Sequence, residues 1–190
     1  FYKPLTNTLV IGVVVSSFCV LIGGFLAWLV VMTNVPFRKT IGVMATLPFM
    51  IPSFAAALAW GSLFRNDRVG GQVGWLQGLG MDIPNWLSWG MVPTLIVLTL
   101  HYFSLAFTII AASLATVNSD LVEAAQIAGA KGGKILMGII LPVTTPALVA
   151  AGSLCFAGAV SNFATPALLG LPVRMQTLST RLFGMIAVGQ

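Results

Sequence analysis

Residues Glu123–Pro142 read EAAQIAGAKGGKILMGIILP, a polar stretch that turns apolar between two long charge-free runs. Ala124, Ala125, Gln126, Ile127 and Ala128 are mostly good helix formers. Asp120 stands three residues before Glu123, a capping-box spacing with Asp in the Ser/Thr place. Both carboxylates then lie near the positive end of the helix dipole. Gly129 suits a left-handed C-terminal turn. Gly132-Gly133 weakens the start of a second helix, expected from about Lys134 to Ile140, before Pro142 interrupts it. The product is helix, glycine turn, helix, with small alanines on the first helix that let another protein approach closely.

Outward from this segment, the chain is 58% hydrophobic and only 7% charged. Its mean hydropathy is +1.01. A soluble domain carries roughly 25% charged residues, so this is a membrane protein. No Asp, Glu, Lys or Arg occurs in residues 4–37, 40–64, 83–119 or 135–173. Each window exceeds the roughly 20 residues that cross a bilayer core as a helix. Spans are expected at about Leu5–Met32, Ile41–Leu63, Met91–Leu114 and Pro146–Ala167. The first apolar run is too long for a secretory signal peptide and is followed by further spans. Cys19 and Cys155 fall inside spans and read as buried free thiols. The net charge of +5 comes without a dense basic run, which argues against nucleic acid as a partner.

Pro48 and Pro52 lie one turn apart in the second span and imply a kink or a broken helix. That kink reads equally as simple packing or as a hinge or substrate cavity. Ser53, Ala57 and Gly61 follow at four-residue intervals, a stripe for close helix packing. Ala147 and Ala151, then Gly158 and Asn162, repeat the spacing in the last span. Between Arg65 and Gly90, Trp75, Trp86 and Trp89 fit a belt at headgroup level, with a docking surface for an external protein as the alternative. A short interfacial helix is expected around Val73–Leu79.

All four acidic residues, Asp67, Asp82, Asp120 and Glu123, lie in loops, and His101 is the ionisable side chain placed well inside a span. Ion-driven transporters need carboxylates or a relay within the membrane, and an intramembrane enzyme needs a base, nucleophile or metal constellation. No catalytic, cofactor or metal site is legible, and no phosphate-cradling G-x-x-x-x-G-K-[ST] occurs. The chain therefore reads as a passive gate that borrows its driving force. Ser53, His101, Ser104, Ser161 and Asn162 are the uncharged polar candidates for lining a path, although His101 also suits a bond to a neighbouring helix.

The spacing E-A-A, three residues, G, nine residues, I, one residue, L-P is met by Glu123, Ala124, Ala125, Gly129, Ile139, Leu141 and Pro142. It resembles the signature cytoplasmic loop of the permease subunits of binding-protein-dependent ABC importers. The resemblance implies an all-α transmembrane bundle of the type I importer core over residues 1–190, a fragment lacking flanking helices. It implies that the loop at 116–145 is the cytoplasmic coupling surface on which an ABC ATPase subunit docks through those seven residues. It further implies an extracytoplasmic solute-binding protein, a second permease half or homodimer partner, surrounding membrane lipid, and a multi-pass location in the inner membrane. ATP chemistry would then sit on the partner, and this chain is not expected to be an enzyme. Lys and Arg counts do not set the orientation, with Arg38, Lys39, Lys131 and Lys134 facing Lys3, Arg65, Arg68, Arg174 and Arg181. The resemblance places the Glu123 loop in the cytoplasm and Arg65–Gly90 outside. Ser161–Met185 is similar to the corresponding region of permeases for ferric iron, and of relatives for polyamine, phosphonate or thiamine. Ferric iron is the favoured expectation. The competing class is a helical membrane enzyme or assembly factor.

Overall fold

A computed structural model describes residues 2–188, and among them every regular element is a helix. Helix α1 (Tyr2–Met32), α6 (Met91–Leu114) and α9 (Leu141–Ser161) form the centre of the bundle. Between them run α2 (Arg38–Met50), α3 (Ser53–Phe64), α4 (Trp75–Gly78), α5 (Asn85–Ser88), α7 (Ser119–Ile127) and α8 (Gly132–Ile135). The chain closes with α10 (Ala164–Leu169) and α11 (Leu178–Val188). The three central helical stretches are each long and apolar enough to cross a membrane.

Lipid tails are as apolar as leucine, so contact between spans rests on close packing and hydrogen bonds rather than on expelling water. Glycine supplies the close packing. A β-carbon on Gly23 of α1 would meet the Phe107 backbone nitrogen of α6 at 2.7 Å. One on Gly12 would meet the Phe156 ring of α9 at 2.6 Å. Tyr102 of α6 lies across Gly158 of α9 and donates its hydroxyl to the Gly158 carbonyl at 3.0 Å. Both thiols are free and buried, and each also ties a helix to α6. Cys19 donates to the Thr99 carbonyl at 3.6 Å and Cys155 to the Tyr102 carbonyl at 3.5 Å.

The second apolar window is not one straight helix. Helices α2 and α3 meet at 95°. Pro52 forces the residue before it out of the helical region, and Ile51 is extended at φ −84°, ψ 124°. Pro48 stays inside α2, so of the two prolines Pro52 makes the break. The stripe expected on α3 packs at Ala57, which is buried, but not at Gly61. Gly61 instead lines a cavity of about 750 Å³. The last span also differs from Pro146–Ala167. It starts at Leu141, keeps Pro146 inside, and ends at Ser161 because Asn162 is extended at ψ 122°.

Residues 65–90 fold around a buried side chain. Asn66 donates to the Ile83 carbonyl at 3.1 Å and accepts from the Trp89 indole at 3.0 Å. Trp89 is thus buried and does not join a headgroup belt, whereas Trp75 and Trp86 are exposed. The helix expected at Val73–Leu79 shrinks to α4, flanked by Gly74 and closed before Gly80 at φ 88°. This loop and residues 162–177 share one end of the bundle, where the Gly90 amide donates to the Leu169 carbonyl at 2.7 Å. At the other end, Val122, Ala125 and Ala130 pack on the core.

Candidate coupling surface and solute path

Helix α7 is capped by Asn118, whose side chain accepts from the Asp120 amide at 2.9 Å. The capping-box reading of Asp120 with Glu123 is corrected. The helix begins at Ser119, so Asp120 lies within its first turn and Glu123 one turn beyond the cap. The Glu123 side chain makes no hydrogen bond or ion pair among the described residues. At the other end, the Ala130 amide donates to the Ala125 carbonyl and the Gly129 amide to the Gln126 carbonyl, both at 2.9 Å. These two bonds make a Schellman motif, and Gly129 supplies the left-handed residue at φ 80°.

The two bonded ends fix which face of α7 looks outward. Val122 and Ala125, three apart, turn to the core. Glu123, Ala124 and Ile127 are exposed, and the 123/127 and 124/127 spacings put them on one face. Ile127 is 88% exposed, an apolar side chain with nothing covering it. The residue types alone did not single out Ile127. The signal was available in its i+4 relation to Glu123 and opposition to Val122.

The second helix starts at Gly132 rather than Lys134 and is not interrupted by Pro142. Residues Leu136–Ile140 form a π turn in which the Leu141 amide reaches back to the Leu136 carbonyl. That wide turn shifts the hydrogen-bond register just before Pro142, which has no amide to place. Pro142 then sits in the first turn of α9, where proline is tolerated. The seven motif positions therefore divide. Glu123, Ala124, Leu141 and Pro142 are exposed, Ala125 and Ile139 pack against the core, and Gly129 makes the turn.

The break between α2 and α3 gathers most of the polar candidates. The Asn162 amide group donates to the Ser53 hydroxyl at 2.9 Å, and its carbonyl oxygen accepts from the Thr165 amide at 3.1 Å. Thr165 donates to the Ser53 carbonyl at 3.5 Å, and Ser179 to the Asn162 carbonyl at 3.1 Å. One asparagine thereby joins the starts of α3 and α10 to α11. From α6, the His101 ring stacks on Phe49 with centroids 5.5 Å apart and lies beside the Pro48 and Ile51 backbone. Ser161 faces away, exposed, with its hydroxyl turned to the Ala157 carbonyl at 2.8 Å. Ser104 is buried, and its hydroxyl has no partner among the described residues. Thr165 at this break, and Thr177 and Thr180 at the start of α11, are buried polar residues that the sequence reading did not name.

A family model described as "Binding-protein-dependent transport system inner membrane component" matches residues 19–190. A probable sulfate transport system permease protein cysT of Chlorokybus atmophyticus is 24% identical over 91% of this chain and 60% of its own length. The Marchantia polymorpha protein of the same description is 29% identical over 85% of this chain and 54% of its own length. A putative 2-aminoethylphosphonate transport system permease protein PhnU of Salmonella typhi is 26% identical over 90% of this chain and 59% of its own length. The chain thus spans little more than half the length of these relatives. A crystal structure of an amino acid ABC transporter with histidines superposes over the whole chain and 78% of its own, with TM-score 0.66 and 17% identity, a likeness of fold. These relatives are named for sulfate and phosphonate transport, and none of them for ferric iron.

Proposed function

The chain belongs to the family of binding-protein-dependent transport system inner membrane components, and on that premise we propose that it is the permease subunit of an ATP-driven importer. It sits in the inner membrane as a multi-pass bundle. The observation that carries the coupling reading is α7, a short helix stapled to the bundle by Val122 and Ala125 and presenting Glu123, Ala124 and Ile127 to an absent partner. That partner is an ABC ATPase subunit on the cytoplasmic side, and the ATP chemistry belongs to it. A solute-binding protein on the opposite face delivers the cargo, and a second permease half completes the path. The break at Ile51–Pro52, with Asn162 and His101 on either side of it, is the part of the path this chain supplies.

The names of the relatives favour an oxyanion, sulfate or a phosphonate, over ferric iron as cargo. Uptake by the full-length permease with its ATPase and binding protein in proteoliposomes tests both levels. ATP-dependent accumulation of radiolabelled sulfate or 2-aminoethylphosphonate is expected. Accumulation of ferric iron alone would reverse the cargo assignment. The absence of any ATP-dependent uptake, with an Ile127→Asp variant still binding the ATPase, would overturn the coupling surface.

A further inference from the structure

A second, separate cluster of charge lies where α11 meets the start of α1. The Asn7 side-chain amide donates to the Gln176 carbonyl at 2.9 Å, and the Leu178 amide donates to the Thr8 hydroxyl at 2.9 Å. These bonds bring the 174–181 stretch onto the first turns of α1. Arg174, left-handed at φ 59°, follows the 3-10 turn Leu171–Val173. Lys3, Arg174 and Arg181 thereby line one cavity of about 480 Å³, together with Asn7 and Gln176. Among the described residues no carboxylate lines it. The acidic residues of this end, Asp67 and Asp82, belong to the 65–90 loop, and the ion pair among the described residues is Arg68 with Asp82 at 3.7 Å.

Three cations without a counter-charge around one concavity repel one another, an arrangement relieved by an anion of matching size. Lys3, Arg65, Arg68, Arg174 and Arg181, five of the chain's nine cations, lie at this end. Arginine's planar fork and lysine's point charge are both suited to the oxygens of sulfate or phosphate groups. We propose that the Lys3–Arg174–Arg181 cavity is a binding site for a tetrahedral oxyanion at the outer end of the bundle. The anion is either free sulfate or phosphonate, or the phosphate of an anionic lipid headgroup. The site rests on the transport reading only for the free-anion source.

The test uses the full-length permease in nanodiscs of phosphatidylcholine, with sodium sulfate titrated against sodium chloride at matched ionic strength. Radiolabelled sulfate binding and thermal unfolding are both read, since a bound ligand raises the melting temperature by mass action. Saturable sulfate binding is expected, weakened about tenfold in a K3Q/R174Q/R181Q variant and retained in K3R/R174K/R181K. If sulfate has no effect but nanodiscs containing phosphatidylglycerol stabilise the natural protein and not the glutamine variant, the cavity holds a lipid headgroup. If neither anion distinguishes the natural protein from the glutamine variant, the site does not exist. Sulfate binding that persists in a permease unable to take up any solute would overturn the transport reading and leave the site standing.

Discussion

At the scale of single residues, two kinds of glycine do opposite work. Gly23 has the Phe107 backbone 2.7 Å from where a β-carbon would stand, and backbone cannot step aside cheaply. Gly23→Val should therefore cost about 1–3 kcal/mol of bundle stability, as overpacking does, read by thermal unfolding in detergent. Gly133, in α8, has nothing within 4 Å and no positive φ. Gly133→Ala should be neutral or stabilising by about 0.4–1 kcal/mol in the same measurement. Asn162 is a third case, because its side chain is spent on Ser53 and on the Thr165 amide. Asn162→Ala removes both bonds and should cost about 1–2 kcal/mol. An unchanged melting temperature would show that the link between α3 and α10 carries no load.

At the scale of elements, the two breaks in regular structure have separate causes and separate consequences. At Gly129 the Schellman turn requires φ 80°, so a β-branched residue is strained by about 1–2 kcal/mol. Gly129→Val should tilt α7 and lower ATPase binding and substrate-stimulated hydrolysis while the spans still insert. Full coupling in that variant would remove α7 as the coupling element. At Pro52 the chain turns through 95°. Helical rise puts labels at Ile41 and Leu63 about 33 Å apart in a straight helix and about 22 Å apart across this bend. Pro52→Ala should move a spin-label distance between those positions upward, toward the straight value. A distance that stays near 22 Å would mean that Asn162, Thr165 and His101 hold the bend without the proline.

At the scale of the whole molecule, the bundle sorts the loops to two ends. Residues 33–37 and 115–131 share one, and residues 65–90 and 162–177 share the other. A cysteine introduced at Gln126 should react with a membrane-impermeant maleimide only from the cytoplasmic face, and one at Trp75 only from outside. The reverse pattern would invert the topology and move the three-cation cavity to the cytoplasmic end.

Hydropathy by itself determined that the chain lives in a membrane and where its long helices run. Charge is so costly in hydrocarbon that the charge-free windows mark the crossings, and α6 matches its expected bounds of Met91 and Leu114. The Glu123–Pro142 spacing likewise sufficed for the family and for the turn at Gly129, because a left-handed residue is a local demand that glycine meets locally. What the tertiary structure decided depends on partners distant in sequence. Two local features also differ from the sequence expectation: Asn118 rather than Asp120 takes the cap, and a π turn carries the helix into α9 through Pro142. Trp89 is drawn inside by Asn66, 23 residues away. The union of Ser53 with Asn162, 109 residues apart, and the meeting of Lys3 with Arg174 and Arg181 have no local signature at all. Periodicity tells which way a side chain points along its own helix, and only the packing of one helix against another says what it meets.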